Sequence, residues 1–107
     1  MTDVLVSWVL PTTREPYKPG ATPSPLPLSE IDAMVLEISA DGGLNYVVTD
    51  EFPPDVLSTI VPELDPGTWM FRGTVRDTRG AVSKPKLGTK VIEDTSPPGA
   101  LLSLTLE

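Results

Sequence analysis

The chain has no cysteine and no histidine. Without cysteine there is neither a disulfide framework nor a thiolate metal site. Without histidine the commonest general base and the commonest metal ligand are gone, and a Ser–His–Asp triad cannot be assembled. Aromatic side chains are sparse, with two each of Trp, Tyr and Phe. No apolar run is long enough to cross a bilayer as a helix, so no transmembrane helix is expected. The N-terminus lacks a basic region followed by an apolar run and a cleavage site, so no signal peptide is expected. Basic residues are few as well: 8 Lys and Arg stand against 15 Asp and Glu, a formal charge of −7. Such a chain repels phosphate backbones and anionic headgroups, so neither nucleic acid nor a membrane surface is an expected partner. The acidity serves solubility.

Proline and glycine are abundant instead, at 13 and 8 in 107 residues, which argues against a helical protein. The length suits one domain that buries a single core without staples. The most informative stretch is Leu64 to Gly80. Pro66-Gly67 supplies a corner, because Pro fixes φ and Gly accepts positive φ. A long alternating strand follows. Trp69, Phe71, Gly73 and Val75 fall on one face; Met70, Arg72, Thr74 and Arg76 fall on the other. That period of two is expected of a strand with one buried face. Asp77-Thr78-Arg79-Gly80 then reads as a turn, and Leu87 to Glu93 as the next strand, with Leu87, Thr89 and Val91 on one face. Arg76 and Arg79 beside Asp77 read as solvated charge pairs worth little each.

Upstream, Asp3 to Val9 reads as a strand ended by Pro11, with Trp8 a core residue. Thr12 to Ser29 carries Pro16, Pro19, Pro23, Pro25 and Pro27 and is a long connection. Proline at that density favours extended backbone and blocks ladder pairing. The loop is either a contact arm that orders against a neighbour, with Tyr17 and Leu26 as apolar anchors, or a solvated excursion. Ile31 to Ser39 is a strand with Met34, Leu36 and Ile38 inward. Asp41-Gly42-Gly43 is a hairpin turn, and Leu44 to Thr49 pairs back from it. Leu57, Thr59 and Val61 mark a further strand, after which Leu64 plugs the core ahead of the corner.

Several chemistries are absent. No glycine-rich phosphate loop is present, because Asp41-Gly42-Gly43 lacks a following helix and Lys. Asp50, Glu51 and Asp55 lie close in sequence, but Pro53-Pro54 interrupts them and no EF-hand spacing exists. No catalytic residue, cofactor or metal is expected, and paired carboxylates find little cleft in so small a sandwich.

From about Val4 to Glu93 the chain resembles a fibronectin type III domain. Two motifs carry the likeness: Val4-Leu5-Val6-Ser7-Trp8-Val9-Leu10-Pro11 resembles the family's B strand, and the stretch Leu64 to Gly80 its E–F corner and F strand. Leu28 to Ser39 resembles the C strand in pattern, although Met34 and Ile38 stand where the family usually has Tyr. The resemblance implies an all-β, immunoglobulin-like two-sheet sandwich. It also implies a core that includes Trp8, Leu36, Leu64, Trp69, Phe71 and Val75. The family's corner Tyr gives its hydroxyl to backbone. Trp69 takes that place, so a corner bond must come from the indole N–H or be absent.

The expected organisation is a sandwich over 1–94, with the Pro-rich loop at 12–29, then a linker and tail strand over 95–107. Only Met1 and Thr2 precede the B-like strand, so the family's A strand is missing from its usual place. Leu102, Leu104 and Leu106 alternate with Ser103 and Thr105, like an A strand placed late. This tail is expected to form an extra strand covering a sheet edge, on its own domain or on a neighbour. Free-standing domains of this sort resemble small virion proteins of tailed bacteriophages. A non-catalytic structural or assembly role in a virion is therefore expected, in capsid decoration or a tail, after synthesis in the bacterial cytoplasm. Its partners would be other virion proteins or copies of itself. The alternative is a carbohydrate- or cell-surface-binding fibronectin type III module. It needs an aromatic platform, but Tyr17, Tyr46 and Phe52 lie in different segments. An accessory domain of an enzyme is a third reading.

Overall fold

A computed structural model describes residues 2–16 and 18–106. Six strands run in chain order: β1 (Thr2–Ser7), β2 (Ile31–Ser39), β3 (Val47–Phe52), β4 (Ser58–Leu64), β5 (Gly67–Asp77) and β6 (Lys86–Ile92). One short 3-10 turn, Leu28–Glu30, leads into β2. All pairings are antiparallel, in a two-stranded sheet β1-β4 and a four-stranded sheet β3-β2-β5-β6. The two sheets pack face to face, so the chain is an all-β sandwich.

The core lies where alternation places it. Met34, Leu36, Phe71 and Ile92 come from the larger sheet, Val61 and Leu64 from the smaller, and all six are buried. Val4, Val6, Trp8, Ile38, Phe52 and Trp69 pack around this cluster, each half-buried. A two-stranded sheet is marginal alone, so β1-β4 depends on this packing for its existence. Gly73 faces inward opposite Leu36, and a Cβ there would stand 3.2 Å from the Met34 methyl. The missing side chain thus makes room for Met34.

Several expectations need correction. Val75 is only half-buried and lies outside the packed cluster. The strand after the hairpin begins at Val47, not Leu44, because the turn consumes more chain. There Asp41 accepts the backbone and side-chain N–H groups of Asn45, while the Ser39 hydroxyl oxygen accepts from Gly43 N–H. These bonds hold 41–45 in a closed loop before pairing resumes. Leu87 and Val91 do share a face, but register opposite Arg72 and Thr68 makes it the outer one. Lys86, Gly88 and Lys90 take the inward positions of β6, where the narrow β1-β4 sheet leaves them exposed.

The tail also differs. Residues 93–106 form no strand, and Leu102, Leu104 and Leu106 are exposed. In this single chain the segment therefore covers no sheet edge. β6 ends beside Gly67, at the same pole as Thr2. To run antiparallel along β1 the tail must first return about 23 Å. The eight steps from Ile92 to Ala100 reach about 26 Å when fully extended, so that path takes nearly the whole length of the linker.

Trp69 supplies the bond at the corner. Its indole Nε1–H donates to the Asp65 carbonyl at 2.9 Å, four residues upstream. The ring packs on the core edge while its N–H pins the Pro66-Gly67 corner. Trp69→Phe keeps the ring and loses the donor, and is expected to cost about 1 kcal/mol in urea unfolding. A change below a few tenths would show that the bond does not hold the corner.

Candidate functional site: an unprotected strand edge beside an apolar cleft

Each sheet has two outer edges, and three of the four carry a feature that discourages pairing. β3 carries Asp50 and Glu51, and β6 carries Lys86 and Lys90. β4 carries Pro62, next to Glu63 in a left-handed conformation with φ 61°. The register shifts there, and Asp3 Oδ1 accepts the Glu63 N–H at 3.0 Å. A bulge of this kind twists an edge away from further partners. The free edge of β1 differs. From Val4 through Leu10 it carries no charge, no proline and no glycine.

An apolar cleft of about 620 Å³ opens beside the end of β1. Trp8, Leu10 and Met34 line it, with Val75 and Gly73 from β5, and Lys84 and Lys86 stand at the rim. It exists because β1-β4 is two strands wide and leaves the inward side of β5 and β6 partly uncovered. Trp8 is fixed as one wall. Its indole N–H donates to the Val56 carbonyl at 3.1 Å, and its ring lies 5.1 Å from that of Phe52.

At the same pole the Pro-rich loop folds onto its own domain. Arg14 N–H donates to the Ser24 carbonyl at 2.8 Å, and Leu26 N–H to the Thr12 carbonyl at 2.9 Å. The two arms of the loop are thus stitched together. Arg14 then bridges to Asp77 at 2.8 Å and to Glu30 at 2.9 Å. Asp77 also accepts the backbone N–H groups of Arg79 and Ala81, each at 2.9 Å. The Arg14 guanidinium, more than any other contact, holds the Asp77 carboxyl well below the usual carboxylate range. Two readings are corrected here. Asp77 is buried, so in the pair it makes with Arg79 at 3.3 Å only the Arg79 side is solvated, and the base of the arm is held to its own domain without a neighbour. Leu26 is half-buried and lines a second cleft against its own domain, with Arg14 and Asp77. Tyr17, the other expected anchor, lies outside the described residues.

The outer face of the larger sheet is laced by ion pairs. Arg72 grips Glu37 with two bonds, at 3.2 and 2.8 Å, and stacks 4.0 Å over the Tyr46 ring. Arg76 bridges Asp32 at 2.8 Å and Glu51 at 2.6 Å. Tyr46 therefore already has a cation on its face, and no flat aromatic platform remains there. Among the described residues no group of three or more His, Cys, Asp or Glu could hold a metal ion. No helix among them is long and apolar enough to cross a membrane.

The structure therefore brings Trp8 and Val75 together at the cleft and leaves Leu102, Leu104 and Leu106 exposed and outside its lining. The Arg14–Asp77 latch has no sequence signature, because 63 positions separate its members. Comparison with protein-family models, with curated proteins and with solved structures gives no match.

Proposed function

We propose that this chain is a non-catalytic structural or assembly module of a tailed-bacteriophage virion, a fibronectin type III-like domain working through protein–protein contacts. The observation that carries the contact role is the free edge of β1, uncharged from Val4 to Ser7, beside an apolar cleft. Exposed edges of that kind are templates for another polypeptide. The strand order supports the fibronectin-like part, with β1 and β4 in the places of B and E and β3-β2-β5-β6 in those of C′, C, F and G. The virion setting rests on the resemblance of the B-like strand and the Pro-Gly corner. The stacking of Arg72 on Tyr46 weighs against a glycan platform.

Mass spectrometry of density-purified particles, from a phage producing this sequence, tests the reading. The chain is expected in the particles at a fixed ratio to the major capsid or tail protein. Its presence in infected cells and absence from particles would overturn the proposal.

A further inference from the structure

We propose that the free edge of β1 receives segment 100–106 of a second copy of this chain, paired antiparallel, with Leu102 over the cleft and Leu104 and Leu106 along the inward side of the strand. This names the partner within the contact role proposed above and rests on that role alone, not on the virion setting.

Four observations converge on this occupant. First, the edge is the one of four without a charge, proline or bulge along its central residues. Second, segment 100–106 is an unpaired, alternating apolar strand sequence. Leu102, Leu104 and Leu106 are 105, 78 and 88 % exposed. Side chains of this kind are normally covered. Third, the segment stands away from the body. The molecule extends 81 Å along its longest axis, more than twice the roughly 36 Å of an eleven-residue strand. Fourth, antiparallel pairing on its own β1 would hold the linker near its full extension, and Pro97-Pro98 stiffens it further. A second molecule has no such constraint, and antiparallel ladders are the more stable kind.

The polarity pattern also fixes a register. Residues directly opposite in an antiparallel pair point to the same face. Setting Leu104 opposite Val6 places Leu102 opposite Trp8 and Leu106 opposite Val4, all inward. The same setting places Ser103 opposite Ser7 and Thr105 opposite Leu5, outward. Leu101 then meets Val9, two side chains exposed at 78 and 96 %. A one-residue slip would turn all three inward leucines to solvent.

Because the natural chain has no cysteine, introduced ones report without background. One preparation carries Ser7→Cys and another Ser103→Cys, each in the full chain. Mixed and oxidised mildly, they are expected to give a disulfide-linked heterodimer as the main product. Leu104→Asp in the Ser103→Cys chain is expected to cut that yield at least tenfold, with circular dichroism showing the sandwich intact. Three results would overturn the inference. One is an intramolecular disulfide in the doubly substituted chain with no link in the mixture. Another is linkage of Ser103→Cys to Asp3→Cys instead of Ser7→Cys, which means a different register or strand direction. The third is absence of any link while sedimentation shows monomer. A chain found in particles that fails this test loses the inference and keeps the virion reading. A chain that cross-links in solution but is absent from particles does the reverse.

Discussion

Replacement of Phe71 by alanine is expected to cost about 3–5 kcal/mol and to leave little folded protein. Phe71 sits at the centre of the larger sheet's inner face, 8 % exposed, opposite Ile38 on one side and Gly88 on the other. Gly88 has no side chain to move into a vacancy, so the cavity would stay open. The domain has little reserve. Only eight hydrophobic residues are buried among the described residues, and small domains are stable by on the order of 5–15 kcal/mol in total. The proper control lies on the same sheet. Val91 is 59 % exposed on the outer face, and Val91→Ala is expected to change stability by no more than about 0.5 kcal/mol. Urea unfolding of both variants checks the contrast. Equal losses would mean that the inner and outer faces have been assigned wrongly.

That contrast marks what the sequence makes legible. Alternation along 67–77 gives both the strand and its inward face, because a buried face imposes a period of two on side-chain polarity. The same pattern places Met34, Leu36 and Ile38. Pro66-Gly67 and Asp41-Gly42-Gly43 announce their turns through residues that accept the needed φ. Gly42 and Gly43 indeed take φ of 76° and 92°. In β6 the pattern misleads. The apolar Leu87 and Val91 face out, because the opposing sheet is too narrow to bury that strand's inner side. The apolar cleft follows from the same narrowness, which is a property of the assembled sheets and not of any local segment. The Arg14–Asp77 bond is equally invisible beforehand, since an ion pair across two loops leaves no periodic trace. The site is therefore legible only in part: the Leu row of the tail and Trp8 stand out in the sequence, while the edge they would share does not.

Asp77→Asn is expected to be the most damaging polar substitution, with a fall in Tm of about 10 °C or more at neutral pH. Asp77 is 5 % exposed and receives the Arg14 guanidinium and two backbone N–H groups at once. An amide can accept the backbone bonds but presents N–H to the cation, which leaves half-buried Arg14 with Glu30 as its carboxylate partner. The loop over 12–26 should loosen with it, read as faster exchange of the Arg14 and Leu26 amides, whose bonds close its base. The sign of the pH effect follows from the lowered folded pKa of Asp77. Its stabilisation is fully present above the unfolded carboxyl value of about 4. It is lost as the pH falls from there through the folded value, because the unfolded chain then binds a proton that the native chain refuses. The Tm gap between the natural chain and Asp77→Asn should therefore stay constant from neutrality down to about pH 5 and narrow below about pH 4. Other carboxylates titrate in both proteins, so the gap isolates Asp77. A gap that stayed constant into strong acid would show that the buried carboxylate and Arg14 do not stabilise the fold as a charged pair.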